Sequence, residues 1–284
     1  MKNIETLEKS AAQIRRDIVR MVAAVNSGHP GGSMSSTDLL TALFFDVMQI
    51  DPANFTKKGE GEDLFYLSNG HISPVLYSVL ARRGYFPVEE LSTFRIMGSR
   101  LQGHPCPSTG LPGIRVASGS LGQGLSVATG HALAKKLDGD QQKVFVLMGD
   151  GELQEGQIWE AAMFATARGV DNLVAIVDWN NQQIDGTCEE VMAGAISTLP
   201  AKFEAFGWRV LQVDGHNMQE IVETLHYAKD TACGKGRPVV ILAKTKMGKG
   251  VDFMEDTNEY HGKATNADQT KAALEQLTQT LGDY

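Results

Sequence analysis

Gly149-Asp150-Gly151, followed at a set distance by the pair Asn180-Asn181, is the spacing in this chain with the clearest chemistry. Lys143 to Gly149 reads as a short apolar strand that breaks at the Gly-Asp-Gly, and a second apolar strand ends at Asp178-Trp179-Asn180-Asn181. The 28 residues between Gly151 and Asn180 suffice for a loop, a crossover helix and the next parallel strand. Asp150 and Asn180 then fall at the carboxyl ends of strands, where open α/β sheets bind their ligands. Mg2+ takes hard oxygen ligands in a near-octahedral shell and is usually shared between one or two carboxylates and phosphate groups. Asp150 supplies the carboxylate, Asn180 an amide oxygen and Gln182 a backbone carbonyl. Gly149 and Gly151 let the main chain approach phosphate oxygens, and a helix beginning near Glu155 adds its positive end. An isolated Gly-Asp-Gly is also an ordinary turn between strand and helix. The paired asparagines at this separation are what turn it into a metal-diphosphate site.

The elements that must position these residues alternate along the chain. Apolar runs read as strands near 64–68, 143–148, 173–178, 208–213 and 239–244. Helical apolar spacing predicts helices over 5–25, 36–48, 74–83, 123–137, 156–168, 217–230 and 267–281. Strand and helix in alternation imply an α/β fold with a doubly wound parallel sheet and helices on both faces. The charged, glycine-containing stretch 57–62 reads as a surface loop, and neither an internal repeat nor a low-complexity linker interrupts the chain. A single domain over 1–284 is the expectation.

Four of the seven histidines, His29, His71, His104 and His261, stand beside Gly or Pro in loops, where a rigid scaffold presents functional groups. His131, His216 and His226 read as packed or surface residues. The four lack the short spacing of zinc ligands, so proton transfer and hydrogen bonding suit them better than a transition metal. The loop Gly119-Ser120-Leu121-Gly122-Gln123-Gly124 precedes a helix, but its spacing departs from the dinucleotide fingerprint and no strong strand leads into it. Glu155 and Glu160 complement a helix start. Gly156, Ala161, Ala162 and Ala165 leave a small-residue face, readable either as an interface or as the buried side of a crossover helix.

Lys and Arg total 26 against 34 Asp and Glu, a net charge of −8, which argues against nucleic acid as a partner. Hydrophobic residues at 42% with 21% charged are ordinary for a globular domain with a sizeable core. No apolar run reaches the length of a membrane span, and the N-terminal segment mixes acidic and basic residues where a signal peptide would be apolar; a cytoplasmic protein without a membrane partner is expected. Cys106, Cys188 and Cys233 lack the spacing of a zinc site or redox pair and are expected as free thiols.

Residues 149–181 resemble the thiamine diphosphate motif, and the wording GDGELQEGQIWEAA is similar to that of transketolases in particular. SGHPGG from Ser27, LSNGH from Leu67, QGHP from Gln102, GSLGQG from Gly119 and HG at His261 resemble transketolase motifs in family order, so the resemblance runs from about residue 10 to about residue 265. It implies the diphosphate-binding domain of a transketolase, with thiamine diphosphate and Mg2+ as cofactors and Ca2+ as a substitute metal. His71 and His261 would contact the diphosphate. His29, His104 and His261 would face the reacting sugar. Gly119 and Leu121 would offer backbone groups to the aminopyrimidine, Gly151 and Asn180 would serve the cofactor, and Asp150, Asn180 and Gln182 would hold the metal. Glu155, grouped with the cofactor residues, matches the family's glutamate at the subunit interface.

Transketolases carry three domains in a much longer polypeptide, so the resemblance implies the N-terminal subunit of a two-chain enzyme. A partner chain would supply the pyrimidine-binding and C-terminal domains, in an α2β2 heterotetramer. The expected reaction moves a two-carbon glycolaldehyde unit from a ketose phosphate to an aldose phosphate, and the chain alone is expected to be inactive in it. SGHPGGSMSS and LSNGHISPVLY depart from the wording of full-length transketolases and leave the sugar open between pentose phosphates and a less common phosphorylated ketose. Other thiamine enzymes, such as a deoxyxylulose-phosphate synthase or the α chain of a 2-oxo acid dehydrogenase, and a non-catalytic thiamine diphosphate-binding protein are the rival readings.

Overall fold

The computed structural model describes residues 2–191 and 195–284. Five parallel strands form its sheet: β1 (Leu64–Leu67), β2 (Val144–Gly149), β3 (Leu173–Trp179), β6 (Arg209–Asp214) and β7 (Val239–Lys244), in the order β1-β2-β3-β7-β6. A two-stranded antiparallel hairpin, β4 (Gln182–Gln183) with β5 (Gly186–Thr187), follows β3. The helices are α1 (Ile4–Ala24), α2 (Pro30–Ser35), α3 (Thr37–Ala42), α4 (Ser73–Arg83), α5 (Gly124–Leu137), α6 (Gly156–Ala167), α7 (Cys188–Val191), α8 (Leu199–Ala205), α9 (Met218–His226) and α10 (Ala267–Gln276).

The central strands are apolar on both sides, as a sheet covered on both faces requires. Their alternation sorts the core into two layers. Phe65, Phe145, Leu147, Val174, Ile176 and Ile241 point to the face covered by α1, α3, α4 and α9, while Tyr66, Val144, Val146, Ala175, Val177 and Val240 point to the face covered by α5, α6 and α8. The fold is thus the doubly wound sheet with helices on both faces that the alternation predicts.

All five sheet strands lie within a residue or two of their expected places. The differences are informative. The run 36–48 is divided: α2 begins at Pro30, α3 ends at Ala42, and a wider π-type turn covers Leu43–Val47. Pro30-Gly31-Gly32 looks like a helix breaker, but Pro fits the first turn, where its missing N–H costs nothing. Gly31 is required by packing, since a Cβ there would come within 2.7 Å of Met247 Cγ and 2.9 Å of the Tyr260 carbonyl oxygen. Helix α9 also relaxes into a π-type turn at Tyr227–Ala232, and α10 stops at Gln276. Of the small residues of α6, Ala161, Ala162 and Ala165 are buried in the core layer beneath it, while Gly156 at its start is exposed with open space around it.

Candidate active site

The carboxyl ends of β1, β2 and β3 open onto one cavity of about 270 Å3, lined among others by His29, Asn69, His71, Gly119, Leu121 and Gly149. Asp150, Gly151, Glu152, Asp178, Asn180 and Gln182 complete its acidic side, and Met247 and His261 close it. Residues widely separated in sequence meet here because β2 and β3 pair with Gly149 opposite Asp178, which brings the two motif ends side by side.

Asp150 is 2% exposed, and its carboxylate accepts hydrogen bonds from the amides of Gly151 at 2.8 Å and Asn181 at 2.5 Å. The two asparagines divide the work. Asn181 takes a left-handed backbone (φ 60°), which Asn tolerates, and this aims its N–H at Asp150. Asn180 donates its side-chain amide to Asp178 at 3.0 Å, and its side-chain oxygen accepts the Gln182 amide at 2.8 Å.

Asp178 is fully buried and held by hydroxyls. Ser35 and Ser36 donate to one oxygen at 2.5 and 3.0 Å, and Thr245 donates to the other. Burial and the neighbouring Asp178 push the Asp150 carboxyl up to about 7, and burial raises Asp178 as well. Two buried carboxyls side by side, ringed by neutral donors, form a pocket in which a cation relieves the repulsion. The donor set is all oxygen, the chemistry of Mg2+ or Ca2+ and not of zinc. Among the described residues no cluster of three His, Cys, Asp or Glu side chains could hold a metal by itself, so substrate or cofactor oxygens would have to complete the shell.

The histidine side is built differently. The rings of His29, His71 and His261 sit with centroids 5.0 Å (29 to 71), 5.2 Å (71 to 261) and 5.7 Å (29 to 261) apart. His29 precedes α2 as its cap, and His71 lies in the turn between β1 and α4. Burial first, then the neighbouring His261, lowers His29 to about 4 and His71 to about 3; burial lowers His261 too. All three imidazoles are therefore neutral at pH 7. His29 Nδ1, His261 Nδ1 and the Asn69 side-chain oxygen are buried without a hydrogen-bond partner in the chain, which is costly unless a ligand supplies one.

The remaining expected residues are placed unequally. His104 stands on the rim outside the cavity lining; a Cβ on Gly119 would come within 3.0 Å of its ring. Glu155 stands at the start of α6, is exposed and does not line the cavity, so within this chain it is placed as an interface residue would be and not beside the cofactor residues with which the motif reading groups it. The 3-10 turn Gly151–Gln154 ahead of α6 rotates the chain so that Glu152, not Glu155, points inward. Glu152, Asn69 and Asp178 are the site residues that motif reading passed over. Asn69 sits inside LSNGH and Asp178 inside DWNN, so the signal was the motif itself, read too narrowly.

The family model for the transketolase thiamine diphosphate-binding domain matches residues 7–281. The chain is 42% identical over 272 residues to a 6-deoxy-6-sulfo-D-fructose transketolase subunit from a Clostridium species, covering 95% of this chain and 96% of that protein. It is 39% identical to one of the subunits of the apulose-4-phosphate transketolase of Phocaeicola vulgatus, covering 98% and 96% respectively. The solved transketolase of Campylobacter jejuni superposes with a TM-score of 0.87 at 35% identity; the match covers 97% of this chain and 43% of that one, so the chain spans less than half of such full-length enzymes. The chain therefore belongs to the transketolase family, as a transketolase subunit built on the thiamine diphosphate-binding domain.

Proposed function

We propose that this chain is the cofactor-holding half of a two-chain transketolase that moves a two-carbon unit from a ketose to an aldose in the cytoplasm. One observation carries the reading: Asp150, Asn180 and Gln182 share a cavity with the cluster of His29, His71 and His261. We read 1–284 as a single diphosphate-binding domain whose site is completed by the pyrimidine-binding domain of a partner chain, in an α2β2 assembly.

The residues fit a metal-bound diphosphate. Asp150, the Asn180 side chain and the Gln182 carbonyl would hold Mg2+, with Ca2+ able to replace it. Gly149 and Gly151 leave backbone beside it free of side chains, and His71 and His261 would donate to diphosphate oxygens. Thiamine diphosphate, when bound, supplies the nucleophilic carbon and the electron sink needed to cleave a ketose between C2 and C3. His29 and His261, with His104 at the rim, would grip the sugar. A neutral imidazole donates at one nitrogen and accepts at the other, so each can orient a hydroxyl and carry its proton as the C–C bond breaks and forms. Burial keeps the rings of His29 and His261 uncharged.

The subunit relatives are named for 6-deoxy-6-sulfo-D-fructose and apulose 4-phosphate, each a sugar with an anionic end group. A ketose of that class is the proposed donor here, with the group that reads its anionic end on the partner chain. The test is to isolate the chain with its co-purifying partner, add thiamine diphosphate and Mg2+, and screen phosphorylated and sulfonated ketoses against aldose acceptors. Two-carbon transfer is expected from the pair and not from this chain alone. Full turnover by the chain alone, or decarboxylation of pyruvate in place of transfer, would overturn the proposal.

A further inference from the structure

Glu152 lies three residues from the interface-type glutamate, is 3% exposed, and touches three loops at once. One carboxylate oxygen accepts hydrogen bonds from the Ser68 hydroxyl at the end of β1 and from the Gly122 amide at 2.8 Å; the other accepts from the Gly149 amide at 3.1 Å. The Ser68 hydroxyl in turn accepts from the Gly124 amide at 3.1 Å. The carboxylate and that hydroxyl thereby tie the 119–124 loop to the ends of β1 and β2. The loop has to pass very close to do this. A Cβ at Gly124 would come within 2.8 Å of Ser68 Cα, and one at Gly122 within 2.8 Å of Glu155 Cβ. These close approaches, not nucleotide binding, are what the glycine spacing serves.

We infer that Glu152 is the positioning residue that locks the 119–124 loop in register with the Gly149–Gly151 turn, so that the two ends of an extended cofactor find both halves of their site already aligned. This rests on the proposed thiamine diphosphate reading. Only a carboxylate accepts at both oxygens; Gln, of the same shape, turns an NH2 toward either Gly149 or the Ser68 and Gly122 pair. A single substitution therefore breaks one side of the tie without removing bulk.

The experiment uses the chain with its co-purifying partner, comparing wild type, Glu152→Gln, Glu152→Ala and Ser68→Ala. Thiamine diphosphate is titrated in the presence of Mg2+, and amide hydrogen exchange of residues 119–124 is followed without cofactor. The expected result is affinity lowered by about tenfold in Glu152→Gln, the scale of lost outer-shell support, with faster exchange of the loop and a melting temperature close to wild type. Ser68→Ala should speed exchange of the loop as well, and covers the case in which Glu152→Ala fails to fold. Wild-type affinity and unchanged loop exchange in both Glu152→Gln and Ser68→Ala would overturn the inference. Wild-type protein that binds no thiamine diphosphate would instead overturn the cofactor reading, while the exchange data would still decide whether Glu152 holds the loop.

Discussion

On the side of the cavity built from the ends of β2 and β3, two buried carboxyls are held by amides and hydroxyls of the chain itself. On the side built from α2, the turn after β1 and the stretch at His261, three neutral rings leave two ring nitrogens without partners. The first side is fully hydrogen-bonded but electrically unbalanced; the second is balanced but incompletely hydrogen-bonded. On the proposed reading a cation would supply the missing charge, and an anion brought by that cation would supply the missing hydrogen bonds. A diphosphate with its metal would answer both needs at once, and neither side by itself resembles a stand-alone metal centre or a stand-alone anion site.

The contrast can be broken most severely at Asp150. Asp150→Ala should abolish Mg2+-dependent binding of thiamine diphosphate by the assembled complex, with an affinity loss of about 100-fold or more, beyond the range typical of groups that merely orient a ligand; titration calorimetry measures it. The fold should survive, because the substitution also removes a buried carboxyl beside Asp178.

Gly149→Ala separates ligand binding from stability. A Cβ there meets nothing closer than the Asn69 amide nitrogen at 3.6 Å, so the melting temperature should hardly move while cofactor affinity falls about tenfold through the crowding of backbone that a phosphate approaches. Gly31→Ala is the control with the opposite outcome, costing about 1–3 kcal/mol of stability because its Cβ meets Met247 and the Tyr260 carbonyl.

The histidine side sets a pH dependence of definite sign. His71 titrates near 6.5 when unfolded and about 3 when folded, so between those values the unfolded chain carries the extra proton. Stability is therefore lost as pH falls through that window. The difference in melting temperature between wild type and His71→Asn should shrink from pH 7.5 toward pH 5, with an upper limit of about 1.4 kcal/mol per pH unit. Taking the difference cancels Asp150, whose raised carboxyl acts in the opposite sense. A pH-independent difference would mean that the ring is not buried as described. The smallest effect belongs to Thr245→Val, which removes one hydroxyl from Asp178 and should cost about 1 kcal/mol of stability with the proposed metal ligands left in place.

The parallel sheet was legible because apolar runs alternate with helical segments, whereas the strand order β1-β2-β3-β7-β6 was not; Asp150 and Asn180 were legible because their spacing matches one strand-helix-strand unit. The short helix Pro30–Ser35 was not legible: at Gly31 it packs closely against Met247 and Tyr260, more than 200 positions away, and the local Gly-Gly propensity points against it. Glu152 and Glu155 show the same limit at finer scale. Three residues apart, both read as acids near a helix start, and only the intervening 3-10 turn decides which one faces inward.

Helix α2 has a consequence in time as well as in space. It joins His29 at one end to Ser35 at the other, and the Ser35 hydroxyl reaches an aspartate 143 positions further along the chain. Contacts of such sequence separation close late, after more local structure has formed. The β2–β3 unit is therefore expected to form before the histidine cluster closes, so that the capacity to take up the cofactor would arrive late in folding and mark a finished molecule.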